Sequence, residues 1–458
     1  MEKEVLAPQV KDSSFKTDFI MKTDELYKIF LESKGVSTDS RAITPGSIFF
    51  ALKGDNFDGN SFALKAIEGG AKCAVIDDKS LPVNDNLILV KDVLLALQDL
   101  ARYHRIKLGI PIVGLTGTNG KTTTKELITT VLSVKYKVTS TQGNLNNHIG
   151  VPLTILKMDS STQMGVVEMG ASAPGEIANL VSISQPNYGL ITNVGKAHLL
   201  GFGSFDGVKN TKGELYDYLL KTGETALYNI DNPHLCEMVQ KRTSLKTIPY
   251  GLQYEGCQIL ATSSAEPFLR MRLHSGELVN TNLIGAYNSD NIMAALAVGK
   301  LFEVNLAIAI EAIGKYTPSN NRSQLVKGRE NTLIVDAYNA NPTSMRAALE
   351  NFRNMERGVS TLVIGDMLEL GSESQNEHKA VLDIINKMGI DNLLFVGEEF
   401  AKAALAAALG DAACVINARF FKTSLELRDY LIANPITGNT FLIKGSRGTR
   451  LERILDIL

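Results

Sequence analysis

Between residues 107 and 317, short apolar runs alternate with stretches whose apolar positions recur at helical spacing. Ile110-Pro111-Ile112-Val113 is one such run, and after it Leu127, Ile128, Val131 and Leu132 mark a helix. Val166-Val167-Glu168-Met169-Gly170 and Tyr188-Gly189-Leu190-Ile191-Thr192-Asn193 read as short strands that end in polar residues, and 288–302 reads as a helix rich in Ala and Leu. Repeated strand, loop and helix predict a largely parallel sheet covered on both faces, with ligand groups at the carboxyl ends of its strands. The rhythm returns at Thr332–Asp336, Thr361–Gly365, Asn392–Gly397 and Thr440–Lys444, a second and smaller α/β unit. The polar stretch Tyr316-Thr317-Pro318-Ser319-Asn320-Asn321 between the two has linker chemistry. Ahead of both, Thr23 caps a helix through Phe30, and Ser47–Leu52 is a buried strand. Lys53–Asn60 is a turn-rich loop, followed by a strand at Cys73–Ile76 and a helix around 94–105. The expected fold class is α/β in three domains, 1–106, 107–317 and 318–458.

A chain of 458 residues accommodates that many cores. Hydrophobic content of 44% and charge of 21% are ordinary for a globular protein, and a net charge of −2 gives no basic face for nucleic acid. Cys73, Cys236, Cys257 and Cys414 form no CxxC pair, which argues against structural zinc or a disulfide framework and suits a reducing compartment. Residues 1–20 lack the apolar core of a signal peptide, and no stretch reaches the length of a membrane span. The expectation is a cytoplasmic protein without membrane insertion.

The candidate chemistry begins at Gly114–Thr124, Gly-Leu-Thr-Gly-Thr-Asn-Gly-Lys-Thr-Thr-Thr, read as a phosphate-binding loop between strand and helix. Glycines let backbone N–H groups face phosphate oxygens, Lys121 adds a charge, and Thr122 offers a hydroxyl to Mg²⁺. Position 115 is Leu where the common pattern wants Gly, so the motif is the shorter Gly117-Thr118-Asn119-Gly120-Lys121-Thr122-Thr123. It implies a nucleoside triphosphate, ATP. Glu168 ends a strand, where a carboxylate needs a partner or a metal. His198 follows the next strand end, and Lys212 follows in Asn210-Thr211-Lys212-Gly213-Glu214. Taken singly, each of these three reads equally well as a structural ion pair or a surface charge. Asn288 and Asn291 share a helix face and could meet a base edge or ribose. Arg322 lies in the linker itself, where an arginine could reach phosphates held by a neighbouring domain. Asp336-Ala337-Tyr338-Asn339-Ala340-Asn341-Pro342 and Lys444-Gly445-Ser446-Arg447-Gly448 both leave strand ends, the second able to hold a carboxylate.

Together these motifs resemble the muramyl ligases of peptidoglycan synthesis, from about residue 21 onward. Several segments are similar to the members that join D-alanyl-D-alanine to UDP-N-acetylmuramoyl-tripeptide: Ser37–Arg41, Phe49–Leu52, Phe57–Gly59, Gly143–Pro152, Asp336–Pro342, Met367–Gly371 and Lys444–Arg447. The resemblance implies a small N-terminal UDP-sugar domain, a central P-loop-type ATPase domain and a C-terminal Rossmann-like domain. It implies ATP and two Mg²⁺, with Lys121, Lys212, His198 and Arg322 catalytic and Thr122, Glu168, His198 and Lys212 at the metals. Lys212 matches a position carbamylated in the family. Gly117–Thr123, Asn288, Asn291, Arg322, Asp336, Tyr338 and Asn339 would meet the nucleotide. Ser40, Arg41 and Asn60 would hold the UDP-sugar, with Asn60 standing where the family's pattern has histidine. Asn144, Asn146 and Asn147 would face the peptide, and Lys444, Ser446 and Arg447 would complete the substrate site. The implied protein is a monomer whose last domain closes on the middle one. Its rivals are a folylpolyglutamate-type ligase, a P-loop kinase or motor ATPase, and a UDP-sugar binding protein with a decayed ATP site.

Overall fold

The computed structural model describes residues 21–82, 85–262, 267–318, 322–355, 358–408 and 418–458; Cys414, linker residues 319–321 and the first 20 residues lie outside these. The chain divides into two compact units, Met1–Lys107 and Leu108–Leu458.

The first unit is built on a four-stranded parallel sheet in the order Val36–Ser37, Ile48–Phe50, Cys73–Ile76, Leu87–Leu89. Ile48, Phe49 and Phe50 are all buried, as a parallel strand covered on both faces requires. The first helix is Thr23–Leu31, and its N-cap is Lys22, not Thr23; the Lys22 N–H donates to Glu25 Oε2 at 3.3 Å. The glutamate three positions on, reaching back to the cap, sets the start. Lys53–Asn60 is more ordered than a turn-rich loop. Lys53–Gly54 and Phe57–Asp58 pair antiparallel, and a 3₁₀ turn, Gly59–Phe62, leads into an unexpected helix at Ala63–Glu68.

The second unit carries two six-stranded sheets. In the first, all strands are parallel, in the order Lys246–Tyr250, Thr225–Asn229, Tyr188–Ile191, Ile112–Thr116, Met164–Glu168, Val138–Ser140. In the second, Gln324–Lys327 is an antiparallel edge, followed by the parallel strands Thr332–Asp336, Thr440–Lys444, Ser360–Gly365, Asn392–Val396 and Ala418–Phe421. A small antiparallel sheet of three strands lies between them in sequence. The helix Ser289–Leu301 is apolar nearly all round, which fits its packing: Ile292, Ala295 and Val298 join Val113, Leu115, Leu127 and Ile128 in one core. No described helix is long and apolar enough to cross a membrane. Cys73 and Cys257 are buried and Cys236 is half-buried; all three are free thiols.

The strand before the phosphate loop runs through Thr116, so Gly114 and Leu115 belong to the sheet and not to the loop. Gly114 answers to packing: a Cβ there would lie 2.9 Å from both Met169 Cε and Pro186 Cβ. The methionine can move aside but the proline ring cannot. Gly114→Ala is therefore expected to destabilise the second unit by about 1–3 kcal/mol, the cost of overpacking a filled core. Urea unfolding checks it, and an unchanged midpoint would count against this account.

Candidate active site

At the carboxyl end of Ile112–Thr116 the chain turns through four residues and enters the helix Lys121–Ser133. Two glycines make the turn possible. Gly117 has φ +147, and a Cβ on it would lie 2.0 Å from Thr192 Oγ1; Gly120 has φ +76, and its Cβ would lie 2.6 Å from Asn291 Oδ1. Only a residue without a side chain fits either place. The helix start carries free N–H groups and a partial positive charge, a ready site for anions. Lys121 Nζ donates to the carbonyls of Gly117 (2.8 Å) and Thr118 (3.0 Å). Its pKa is lowered, chiefly by burial; Glu168 opposes the shift and Arg322 adds to it.

Glu168 ends the neighbouring strand, Met164–Glu168, and is 1% exposed. Its Oε1 accepts from Thr122 Oγ1 (3.3 Å) and Asn146 Nδ2 (2.8 Å), while Oε2 is buried without any hydrogen-bond partner. A buried carboxylate oxygen left bare is costly unless a ligand meets it. Asn146 thus touches Glu168 itself. Asn147 turns its oxygen to the N–H groups of Ile149 and Gly150, and Asn144 is exposed beside them.

Lys212 lies within the helix Phe205–Thr222 and is 2% exposed. Its Nζ donates to Ala171 O at 3.3 Å and sits 5.2 Å from the centre of the Phe202 ring. Burial, then the charge of Lys121, lowers its pKa to about 7. His198 has φ +49 and pairs through Nδ1 with Glu369, itself at φ +63. Burial pulls the His198 pKa down against the pull of Glu369.

The second sheet supplies the opposite wall. Arg322 lies 3.6 Å from the centre of the Tyr338 ring, and its Nε is buried without a partner. Asp336, at the end of Thr332–Asp336, accepts from Lys444 Nζ at 2.5 Å, and Lys444 is 1% exposed. Lys444 therefore neutralises Asp336 and is not a free cation for a substrate carboxylate. Asn288 and Asn291 are also buried, the first closing the 3₁₀ turn Ala286–Asn288 and the second within the helix Ser289–Leu301. Asn291 donates to Asn288 Oδ1 (2.7 Å) and accepts from Thr124 Oγ1 (2.9 Å), while Asn288 donates to Ile284 O (2.8 Å).

One cavity of about 1100 Å³ collects most of the expected residues: Thr118 to Thr123, Asn144, Asn146, Asn147, Glu168, His198, Asn288, Asn291, Arg322, Asp336, Tyr338, Asn339 and Lys444. Gly117, Lys212, Ser446 and Arg447 do not line it. Ser446 is buried, with Leu368 N donating to its Oγ at 3.0 Å, while Arg447 is exposed, 5.8 Å from the Tyr338 ring centre. Among the described residues no three His, Cys, Asp or Glu side chains converge as a metal site. Ser40, Arg41 and Asn60 belong to the first unit. There Arg41 grips Asp39 through Nε (2.9 Å) and Nη2 (2.8 Å). Asn60 donates to Asp58 and Asp77, both at 2.8 Å, and accepts from Asp77 N at 3.1 Å, which uses both of its N–H donors and one of the two lone pairs on its oxygen. Asn193 and Tyr287 also line the cavity, Asn341 bonds to Asn119 and Glu369 pairs with His198, and Asn193, Asn341 and Glu369 lie within the motifs described above. For Asn341 the signal was local: Asn before Pro342 is a helix N-cap followed by N1 proline.

The chain matches three family models: "Mur ligase family, catalytic domain" over 32–105, "Mur ligase middle domain" over 115–299, and "Mur ligase, glutamate ligase domain" over 321–447. It is 37% identical over 440 residues to the UDP-N-acetylmuramoyl-tripeptide–D-alanyl-D-alanine ligase of Bacillus subtilis, covering 93% of each chain. The crystal structure of MurF from Acinetobacter baumannii superposes with a TM-score of 0.81 at 30% identity, covering 95% of this chain and 98% of that one. MurF from Thermotoga maritima in complex with ADP superposes at 0.80 with 26% identity, covering 93% and 97%.

Proposed function

The chain belongs to the Mur ligase family, and from that premise we propose that it joins D-alanyl-D-alanine to UDP-N-acetylmuramoyl-tripeptide with hydrolysis of ATP to ADP and phosphate, a cytoplasmic step of peptidoglycan synthesis. The observation that carries this reading is that the phosphate loop and the bare Glu168 oxygen open onto one cavity with Arg322 and Asp336 of the second sheet. Such a cavity has room for a nucleotide and for a carboxylate presented to its terminal phosphate. We divide the chain at 106/107 and 317/318 into a UDP-substrate-binding domain, an ATP-binding domain and a C-terminal ligase domain, acting as a monomer.

The tripeptide carboxylate attacks the γ-phosphate of ATP, forming an acyl phosphate as ADP leaves. The amine of D-alanyl-D-alanine then attacks the acyl carbon, and phosphate departs from the tetrahedral intermediate. The loop N–H groups and Lys121 hold the phosphates and meet charge that grows on the transferred oxygens. Arg322, stacked on Tyr338 with Nε unpaired, is aimed to meet the same phosphoryl group. Asn288, Asn291, Asp336 and Asn339 shape the nucleoside end. Asn144, Asn146 and Asn147 bound the peptide end. Ser40, Arg41 and Asn60 serve the UDP-sugar, and Ser446 and Arg447 the acceptor side. The bare Glu168 oxygen and the Thr122 hydroxyl fit a hard cation that takes oxygen ligands, so Glu168, Thr122, His198 and a carbamylated Lys212 would hold Mg²⁺, with phosphate and water completing it. Mg²⁺ bound there supplies charge neutralisation for the phosphates.

The test is phosphate release from ATP and Mg²⁺ with UDP-N-acetylmuramoyl-tripeptide, with and without D-alanyl-D-alanine. Turnover is expected only with both substrates. Release indifferent to the dipeptide would point to a plain ATPase and sink the ligase reading.

A further inference from the structure

The phosphate loop is held from two sides. Its own sheet grips the backbone: Asn119 N donates to Asn193 Oδ1 (3.0 Å), while Asn119 O accepts from Thr192 Oγ1 (2.6 Å) and Asn193 Nδ2 (3.0 Å). From the second sheet's side comes Asn341. Its Nδ2 donates to Asn119 Oδ1 at 2.8 Å, and Asn119 Nδ2 returns a longer bond to Asn341 Oδ1 at 3.4 Å. Asn341 is 6% exposed and fixed in turn as the N-cap of Pro342–Asn354, accepting from Ser344 N at 2.9 Å. Next to it Thr343 crowds Gly195: a Cβ on that glycine would lie 2.6 Å from Thr343 Oγ1. Gly195 N donates to Thr118 Oγ1 at 3.0 Å, so loop, strand end and helix start form one knot.

We propose that Asn341 is a positioning residue, which presets the phosphate loop through its amide pair with Asn119. It touches the loop and not the reacting groups. A loop held in its phosphate-cradling form before the nucleotide arrives has less ordering left to do on binding, which strengthens affinity without altering the chemical step. The second sheet thereby acts on ATP binding through Asn341 as well as through the residues that face the nucleotide. This inference rests on the nucleotide reading of the cavity.

Asn341→Ser separates the two jobs of the residue. Serine still caps the helix, but it is too short to reach Asn119. Nucleotide affinity should fall about fivefold, the scale of one net hydrogen bond, both in the Kd for ADP by calorimetry and in the KM for ATP. Meanwhile kcat should stay within about twofold, and the melting temperature should fall by no more than a few degrees, the scale of one lost hydrogen bond. An ADP affinity equal to wild type overturns the inference and leaves the ligase reading standing. A collapse of kcat at unchanged KM also overturns it, because Asn341 would then act on the reacting groups. Wild-type protein that binds no ADP overturns the nucleotide reading and this inference with it. Should serine lower the melting temperature by more than that, Asn341→Thr, which also caps, is measured in the same way against the same outcomes.

Discussion

Lys121→Ala is expected to lower dipeptide-dependent phosphate release by about 10³-fold or more, the range seen when a cation facing a transferred phosphoryl group is removed. Much of the site survives the change. The helix start keeps its N–H groups, and the loop keeps its grip through Asn193 and Thr192. What disappears is the one ammonium already held at the loop, bonded to the Gly117 and Thr118 carbonyls. The backbone bonds that hold the loop to Asn193 and Thr192 do not involve the ammonium, so the fold should tolerate alanine. Lys121→Arg should not restore the rate. A guanidinium is planar and wide, and the position between two carbonyls of a four-residue turn suits a compact point charge. Steady-state phosphate release measures the effect, and a melting curve checks the fold. Activity within tenfold of wild type would mean that Lys121 is not at the phosphate.

The parts of this site that were legible in the sequence are those whose chemistry is local. Gly117 and Gly120 must be glycine because their backbones turn left-handed against Thr192 and Asn291, and the Gly-Thr-Asn-Gly-Lys spacing carries that constraint in the sequence. Glu168 was legible because a carboxylate closing an apolar strand needs a reason. The alternation of strand, loop and helix likewise marked both six-stranded sheets in outline, though not the antiparallel edge Gln324–Lys327. The long-range pairings were not legible. Nothing near Lys444 indicates that it is spent on Asp336, 108 positions away. Nothing near Asn60 indicates that Asp77 takes its amide. Asn288 and Asn291 do pair with each other, but Asn288 closes the 3₁₀ turn Ala286–Asn288 and only Asn291 lies in the helix. Both are buried because the Ala-rich helix packs on the phosphate-loop helix, which spacing alone does not reveal. Gly114 was misassigned to the loop for the same reason: its purpose is the proline across the sheet.

Lys212→Ala should cost about 10²–10³-fold in rate, the scale of removing one preorganised electrostatic group, and should recover in part with added formate or acetate. The argument starts from burial. A lysine 2% exposed, with a backbone carbonyl and an aromatic ring as its contacts, is poorly placed as a cation: burial and the charge of Lys121 outweigh the pull of Glu176 and Glu214. Its pKa of about 7 leaves roughly half the amine neutral at neutral pH. A neutral amine can add to CO₂: the N–C bond forms, one proton is released, and the cation becomes a carbamate anion. That exchange turns repulsion from Lys121 into attraction and supplies a carboxylate-like group, for which a small carboxylate could substitute in the alanine variant. Stability gives an independent reading of the unmodified lysine. Its folded pKa lies below the ordinary value of 10.5, so the unfolded chain binds the extra proton between about 7 and 10.5, and this group makes stability rise with pH across that window. Wild-type protein stripped of CO₂ should show that rise, and Lys212→Ala should lack it. Full activity in the plain alanine variant, or equal pH dependence of stability in the two proteins, would remove Lys212 from the mechanism.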